Sequence, residues 1–246
     1  MRFSTLPVRR VERAPKRDTA ISDAWPAGIP AVAQLLAEGL DLGPLTVLVG
    51  ENGTGKSTIV EALAQAYGLN SAGGSPHALP EGDRPDDSPL AGALHVVRGA
   101  GAAKWGFFLR AETMYGWFSE MAAEGMLRDR HDYLRLSHGE SFHEFLASTR
   151  FNGPGLYLFD EPESALSFTA QLSLVGQLHE LADTGTAQVV LSTHSPVLAA
   201  IPGARLLELG AWGWRESSWD DLELVDHWRR FTQAPGAYLR HIVESQ

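Results

Sequence analysis

The sequence predicts an α/β fold, with a mainly parallel central sheet flanked by helices. Three observations predict it. Apolar, strand-like runs alternate with helical patterns between residues 45 and 209. One run, residues 45–49 (Leu-Thr-Val-Leu-Val), leads directly into a G-x-x-x-x-G-K-S motif at residues 50–57, which opens a helical pattern. Another, residues 156–159, ends in the acid pair Asp160 and Glu161, at a strand's carboxyl end, where open α/β sheets bind ligands.

In chain order, residues 1–44 read as short strands and turns, punctuated by Pro7, Pro15, Pro26, Pro30 and Pro44. Residues 2–17 hold Arg2, Arg9, Arg10, Arg13, Lys16 and Arg17 against the single acid Glu12. Such a run is either the solvated face of an early β-hairpin or a contact to a phosphate backbone such as that of DNA. A helix is expected over residues 29–40, ended by Gly39 and Gly43. After the helix that follows residue 57, residues 68–90 turn to Gly, Pro, Ser and Asp, the composition of a mobile surface loop. Residues 104–110, rich in aromatics, read as a strand feeding a helix over 111–126, and residues 142–149 as a second, amphipathic helix. A buried strand at 155–159 follows. A helix over 171–181 comes next, with Leu172, Val175, Leu178 and Leu181 expected on one face, and then strands at 187–191 and 206–209. The expected organisation is one domain over 1–246: a β-rich part at 1–44, the loop at 68–90 and a helical region at 100–150.

Composition bounds the function classes. With 44% hydrophobic and 20% charged residues the chain has the material for a sizeable core. It has no cysteine, which excludes disulfides, thiol catalysis and Cys-ligated zinc, and suits a cytoplasmic protein. The first residues lack the apolar stretch of a signal peptide, and no segment reaches the ~20 apolar residues of a membrane span, so no direct membrane insertion is expected. A net charge of −10 argues against a surface coated for nucleic acid. His77, His95, His131, His143, His179, His227 and His241 show no metal-ligand spacing.

The chemistry rests on four motifs. In residues 50–57 the glycines Gly50, Gly53 and Gly55 permit the backbone turns that aim successive N–H groups at an anion, with Glu51, Asn52 and Thr54 between them. Lys56 reaches the β- and γ-phosphates of a nucleoside triphosphate, Ser57 offers a hydroxyl to Mg²⁺, and Thr58 continues the first helical turn, whose dipole favours phosphate. Asp160 is placed to hold Mg²⁺, and Glu161 to orient or deprotonate an attacking water. His194, in Ser192-Thr193-His194-Ser195 after the strand at 187–191, stands where a polar group senses the γ-phosphate. Residues 136–141 (Leu-Ser-His-Gly-Glu-Ser) open a helix, with Ser137 suited to an N-cap and Gly139 to close backbone approach.

In this order, over residues 45–200, the four motifs resemble those of ABC-class ATPases. The strings Gly-Glu-Asn-Gly-Thr-Gly-Lys-Ser, Phe-Asp-Glu-Pro-Glu and Ser-Thr-His-Ser-Pro are most similar to the soluble SMC/RecF-like branch and to compact bacterial AAA-family ATPases. The resemblance implies a P-loop NTPase fold of ABC-ATPase type, with an N-terminal antiparallel β subdomain and a small helical region. It implies ATP and Mg²⁺ as cofactors, Glu161 as catalytic base and His194 as switch histidine. It also implies an ATP-dependent homodimer, in which Ser137 and Gly139 of one chain reach the γ-phosphate held by the other. Residues 164–167 (Ser-Ala-Leu-Ser) match the loop that carries communication across such dimers. The chain departs from the pattern at several positions. His138 replaces the first signature glycine, Glu140 stands where transporters usually carry Gln, and Ser167 replaces the usual Asp. No Q-loop glutamine follows Phe107 and Phe108, where Arg110 or Glu112 are the substitutes at hand. Trp25 lies where ABC proteins often place an aromatic beneath adenine, and reads equally as a core tryptophan. The function expected is ATP hydrolysis that drives or regulates an unidentified effector protein. The alternatives are the nucleotide-binding subunit of an ABC transporter and an ATP-dependent switch in defence or DNA maintenance.

Overall fold

The computed structural model describes residues 5–15, 25–70, 88–110 and 153–243. Its main sheet has six strands in the order β5-β6-β7-β3-β8-β9. These are β3 (Leu45–Val49), β5 (Gly106–Arg110), β6 (Gly155–Asp160), β7 (Ala187–Thr193), β8 (Arg205–Gly210) and β9 (Gly213–Ser217). All neighbours pair in parallel except the β8–β9 hairpin at the edge. Strands β3, β6 and β7 are buried along their whole length, which is why their sequences are almost uninterrupted apolar runs.

The pleat divides these strands between two cores. Val47, Val49, Tyr157, Phe159, Val189 and Leu191 face helix α4 (Phe168–Asp183), which packs through Leu174, Leu178 and Leu181. Leu48, Leu156, Leu158 and Val190 face the opposite side, beneath α1 (Pro30–Glu38) and α2 (Lys56–Tyr67). Here one expectation fails. Leu172 is half exposed rather than on the buried face of α4. At about 100° per residue, nine residues place it about 180° from Leu181, so a repeated spacing of three drifts off the buried stripe.

The antiparallel part is a second, three-stranded sheet in the order β2-β1-β4, formed by β1 (Arg10–Arg13), β2 (Leu40–Asp41) and β4 (Leu94–Val97). It is not an early hairpin closed within residues 1–44. The partner strands of β1 come from beyond α1 and from beyond the phosphate-loop helix. The basic run is partly consumed by this pairing, because Arg10 donates to Glu12 and Asp41 and to the Glu38 carbonyl. Arg9 and Arg13 are exposed, while Arg2, Lys16 and Arg17 lie outside the described residues. The fully buried Gln188 of β7 fastens this sheet to the main one. Its Oε1 accepts from Val8 N–H at 2.7 Å, and its Nε2 donates to the carbonyls of Val8 and Gly43.

Of the 68–90 stretch, residues 71–87 lie outside the described residues. Its start caps α2 at Gly68, and its end enters α3 (Pro89–Ala93), whose Leu90 is fully buried. The helices expected over 111–126 and 142–149, and the motif at 136–141, lie outside the described residues. Two helices close the described chain, α5 (Glu223–Gln233) and α6 (Pro235–Val243). Among the described residues, no helix is long and apolar enough to cross a membrane.

Candidate nucleotide site

Strand register brings the predicted residues together. Val49, the last residue of β3, pairs with Thr193 of β7, and Asp160 at the end of β6 pairs with Ser192. The phosphate loop, the acid pair and His194 therefore leave three adjacent parallel strands at the same carboxyl edge.

The loop itself is tightly specified. Gly53 and Gly55 adopt left-handed backbone, at φ +82° and +99°. Gly50 does not, and it is needed for space instead, since a Cβ there would lie 2.6 Å from the Leu209 carbonyl oxygen. Thr54 closes the crest by donating its hydroxyl to the Glu51 carbonyl at 2.8 Å, leaving Glu51 and Asn52 exposed. Lys56 is the unusual member. It is 3% exposed, its ammonium donates to the Glu51 carbonyl at 3.0 Å, and it stands 3.2 Å from Oε1 of Glu161. No side chain caps the N-terminus of α2, so the first-turn N–H groups face the loop as an anion site would require.

Asp160 is almost wholly buried, and burial pushes its carboxyl above the ordinary value. Hydrogen bonds from Ser192 and Ser57, together with the Arg110 charge, oppose that shift, and Glu161 adds to it. The Ser192 hydroxyl donates to it at 2.5 Å, and Arg110 Nε stands 3.5 Å away. A carboxylate already joined to the Ser57 hydroxyl is a hard oxygen-donor pair that fits Mg²⁺ with water in its remaining positions.

Glu161 is the sole non-glycine residue with left-handed backbone among the described residues, at φ +47°. That costly conformation turns the chain sharply as it leaves β6 and aims the side chain between Lys56 and His194. One oxygen meets Lys56, and the other lies 3.7 Å from Nδ1 of His194. His194 stands half exposed at the strand end, on a turn fixed by Ser195, which donates to Gln171 of α4 at 2.6 Å. Lys56, Ser57, Asp160, Glu161 and His194 are thus one connected cluster.

Ser137 and Gly139 lie outside the described residues, as do His138, Glu140 and Glu112. Of the two substitutes for a Q-loop glutamine, Arg110 is placed at the end of β5, in register with Asp160 and 3.5 Å from Glu61 of α2. Trp25 is 67% exposed, which removes the reading as a core tryptophan. It begins the segment whose Ile29 packs against Gly55, with Ile29 N–H donating to the Pro26 carbonyl. Glu163 received no role from sequence. It is buried, and its Oε1 accepts from the Thr193 hydroxyl and the His194 N–H, each at 2.6 Å. The one available signal was its presence as the second glutamate in Phe-Asp-Glu-Pro-Glu.

Two family models match the chain. The one described as "AAA domain" matches residues 37–83, and the one described as "AAA domain, putative AbiEii toxin, Type IV TA system" matches residues 85–200. The first contains the phosphate loop, and the second contains Asp160, Glu161 and His194. Among curated proteins, the chain is 27% identical over 212 residues to the macrolide export ATP-binding/permease protein MacB of Salmonella choleraesuis (strain SC-B67). It is 27% identical over 216 residues to MacB of Escherichia coli (strain K12). In both cases 77% of this chain is covered but 32% of the relative, so the chain spans about a third of the length of these proteins. Among solved structures it is similar to "An inward-facing conformation of a putative metal-chelate type ABC transporter", with 19% identity, 87% and 84% coverage of the two chains and a TM-score of 0.46. It is also similar to the SMC head domain from Thermotoga maritima, with 14% identity, 73% and 93% coverage and a TM-score of 0.42. The two AAA-domain models divide residues 37–200 between them, so over that stretch the chain is similar to AAA-family ATPase domains.

Proposed function

We propose that this chain binds ATP with Mg²⁺, hydrolyses it to ADP and phosphate, and dimerises on ATP to drive or regulate a partner protein in the cytoplasm. The observation that carries the reading is the connected cluster at one sheet edge: Lys56 to Glu161, Glu161 to His194, and Ser57 to Asp160. Gly50, Glu51, Asn52, Gly53, Thr54, Gly55, Ser57 and Thr58 form the phosphate cradle through their backbone, and Lys56 supplies its positive charge. Ser57 and Asp160 would hold Mg²⁺, which neutralises charge on the phosphate oxygens when bound. Glu161 orients water and accepts its proton, and His194 contacts the terminal phosphate. Such chemistry is positioning and electrostatics, without a covalent intermediate. The carboxylate of Glu161 lies between Lys56 at 3.2 Å and His194 at 3.7 Å. A phosphate drawing on Lys56 and His194 would compete for both and release Glu161 toward water. The exposed Trp25 supports a stacking place for the base near Gly55.

Ser137 and Gly139 are assigned to the facing protomer's nucleotide, so the site is complete when two copies meet. The experiment is Glu161→Gln with ATP, read by light scattering and phosphate release. The expected result is an ATP-dependent dimer that persists while turnover falls by about 10²–10⁴-fold. A protein that stays monomeric under ATP overturns the two-copy site.

The similarity to MacB over 77% of the chain favours a second reading, as the nucleotide-binding part of an exporter. Co-purification with a polytopic membrane protein would select it. The family described with the AbiEii toxin supports a regulatory switch of a defence system instead, for which turnover would rise only with the partner present.

A further inference from the structure

Glu163 is engaged on one oxygen and bare on the other. Its side chain is 5% exposed. Oε1 accepts from the Thr193 hydroxyl and from the His194 N–H, and lies 3.4 Å from Nδ1 of the His194 ring. Oε2 is buried with no hydrogen-bond partner among the described residues. A buried carboxylate with a bare oxygen is costly, and two donors alone would be met as well by a neutral acceptor.

We propose that Glu163 is the positioning residue for His194, fixing both the backbone and the imidazole orientation that faces the terminal phosphate. The proposal rests on the assignment of His194 to the nucleotide site. The local chain is built to hold the carboxylate still. The left-handed Glu161 reverses the strand, the buried Pro162 starts a 3₁₀ turn over Pro162–Ala165, and Leu166 N–H donates to the Glu163 carbonyl at 3.0 Å. This turn brings Glu163 beneath the end of β7, where it ties two consecutive residues, Thr193 and His194, to the segment that follows Asp160. Both acids near the ring, Glu163 at 3.4 Å and Glu161 at 3.7 Å, are on its Nδ1 side. A carboxylate only accepts, so a neutral ring keeps its proton on Nδ1 and directs Nε2 away from both acids. Glu163 thereby selects the nitrogen that meets the ligand without touching the ligand itself.

The test compares Glu163→Gln, Glu163→Ala, His194→Ala and the double variant E163Q/H194A in the full chain. Gln keeps the shape and the two acceptor contacts but removes the charge facing Nδ1. The expected result for Glu163→Gln is a melting temperature close to wild type and half-saturation by ATP changed by less than about threefold. Its turnover falls about tenfold, which is about 1.4 kcal/mol of barrier. In ¹⁵N-histidine spectra the wild-type His194 carries its proton on Nδ1, and Glu163→Gln weakens that preference without abolishing it, since Glu161 still faces Nδ1 at 3.7 Å. The double variant is no slower than His194→Ala alone, since the two residues act as one unit. Glu163→Gln with wild-type turnover and an unchanged tautomer ratio overturns the proposal, and so do effects that multiply in the double variant. Should Glu163→Ala fail to fold, the Gln variant still decides. His194→Ala at wild-type turnover would strike the assignment of His194 to the site, and the tautomer ratio would then decide on Glu163 by itself.

Discussion

The end of β3 has a buried carboxylate to either side, Glu208 on the neighbouring β8 and Asp160 on β6 beyond β7, and the two sides are satisfied in opposite ways. On the β8 side, Glu208 pairs in register with Val49 and is 3% exposed. Its Oε2 accepts from Arg215 Nε and its second guanidinium nitrogen at 2.8 and 2.7 Å, and its Oε1 accepts from Glu223 N–H at 2.7 Å, at the start of α5. Every lone-pair direction that matters is used. On the β7 side, Asp160 is held above its ordinary protonation range by burial, Glu161 sits on strained backbone, and Glu163 leaves an oxygen bare. Folding alone would not select that side, because satisfied polar groups stabilise while half-satisfied ones cost. The difference separates a carboxylate with both oxygens engaged from a set with unmet bonding capacity.

The widest separation between the two sides is expected from Glu161→Gln, which should remove turnover by the orders of magnitude given above while leaving the melting temperature nearly unchanged. Glu208→Ala should do the reverse. It leaves the Glu223 amide and Arg215 Nε without their acceptor, at a cost of about 1–3 kcal/mol in denaturant unfolding, with ATP affinity unchanged. A loss of ATP binding in Glu208→Ala without loss of stability would break the comparison.

Asp160→Asn sharpens it. Because burial raises the folded-state value of Asp160 above 3.8, the proton is favoured in the fold. The stability this gives is full below the unfolded value and is lost as pH rises through the raised folded value. At neutral pH the ionised carboxylate is therefore a cost, so Asp160→Asn should melt higher than wild type at pH 7. The gap should close in acid, below the ordinary aspartate range, and Mg²⁺-dependent turnover should be absent throughout. A variant that melts lower than wild type at pH 7 would mean that Arg110 and the two serine hydroxyls outweigh burial. The smallest effect is expected from Trp25→Ala. Losing one exposed aromatic contact should weaken ATP binding about two- to tenfold, with triphosphate alone unaffected, as read by competition titration.

Much of the site was legible because its parts are contiguous in sequence. The glycines, Lys56 and Ser57 sit within eight residues, and the strand before and helix after them are set by local pattern. Asp160 and Glu161 were legible for the same reason, as the end of an apolar run. Glu163 was not, although it is two residues from Glu161. Its role depends on meeting Thr193 and His194, thirty residues on, and a buried acid looks in sequence like a surface one. The antiparallel sheet was expected within residues 1–44, where β1 and β2 lie, but its third strand was not, since β4 returns to β1 from more than eighty residues away. Leu172 misled because a spacing of three imitates a helical face over one turn and leaves it over three.

The sequence by itself determined the phosphate loop and the strands that end in acids, because those are properties of neighbouring residues and of apolar periodicity. The tertiary structure alone decided that β7 lies between β6 and β3, and so that His194 and Glu161 meet beside Lys56. It also decided which buried carboxylates have both oxygens engaged and which do not. Hydrogen-bond partners and desolvation are set by contacts between distant segments, which the order of residues along the chain does not display.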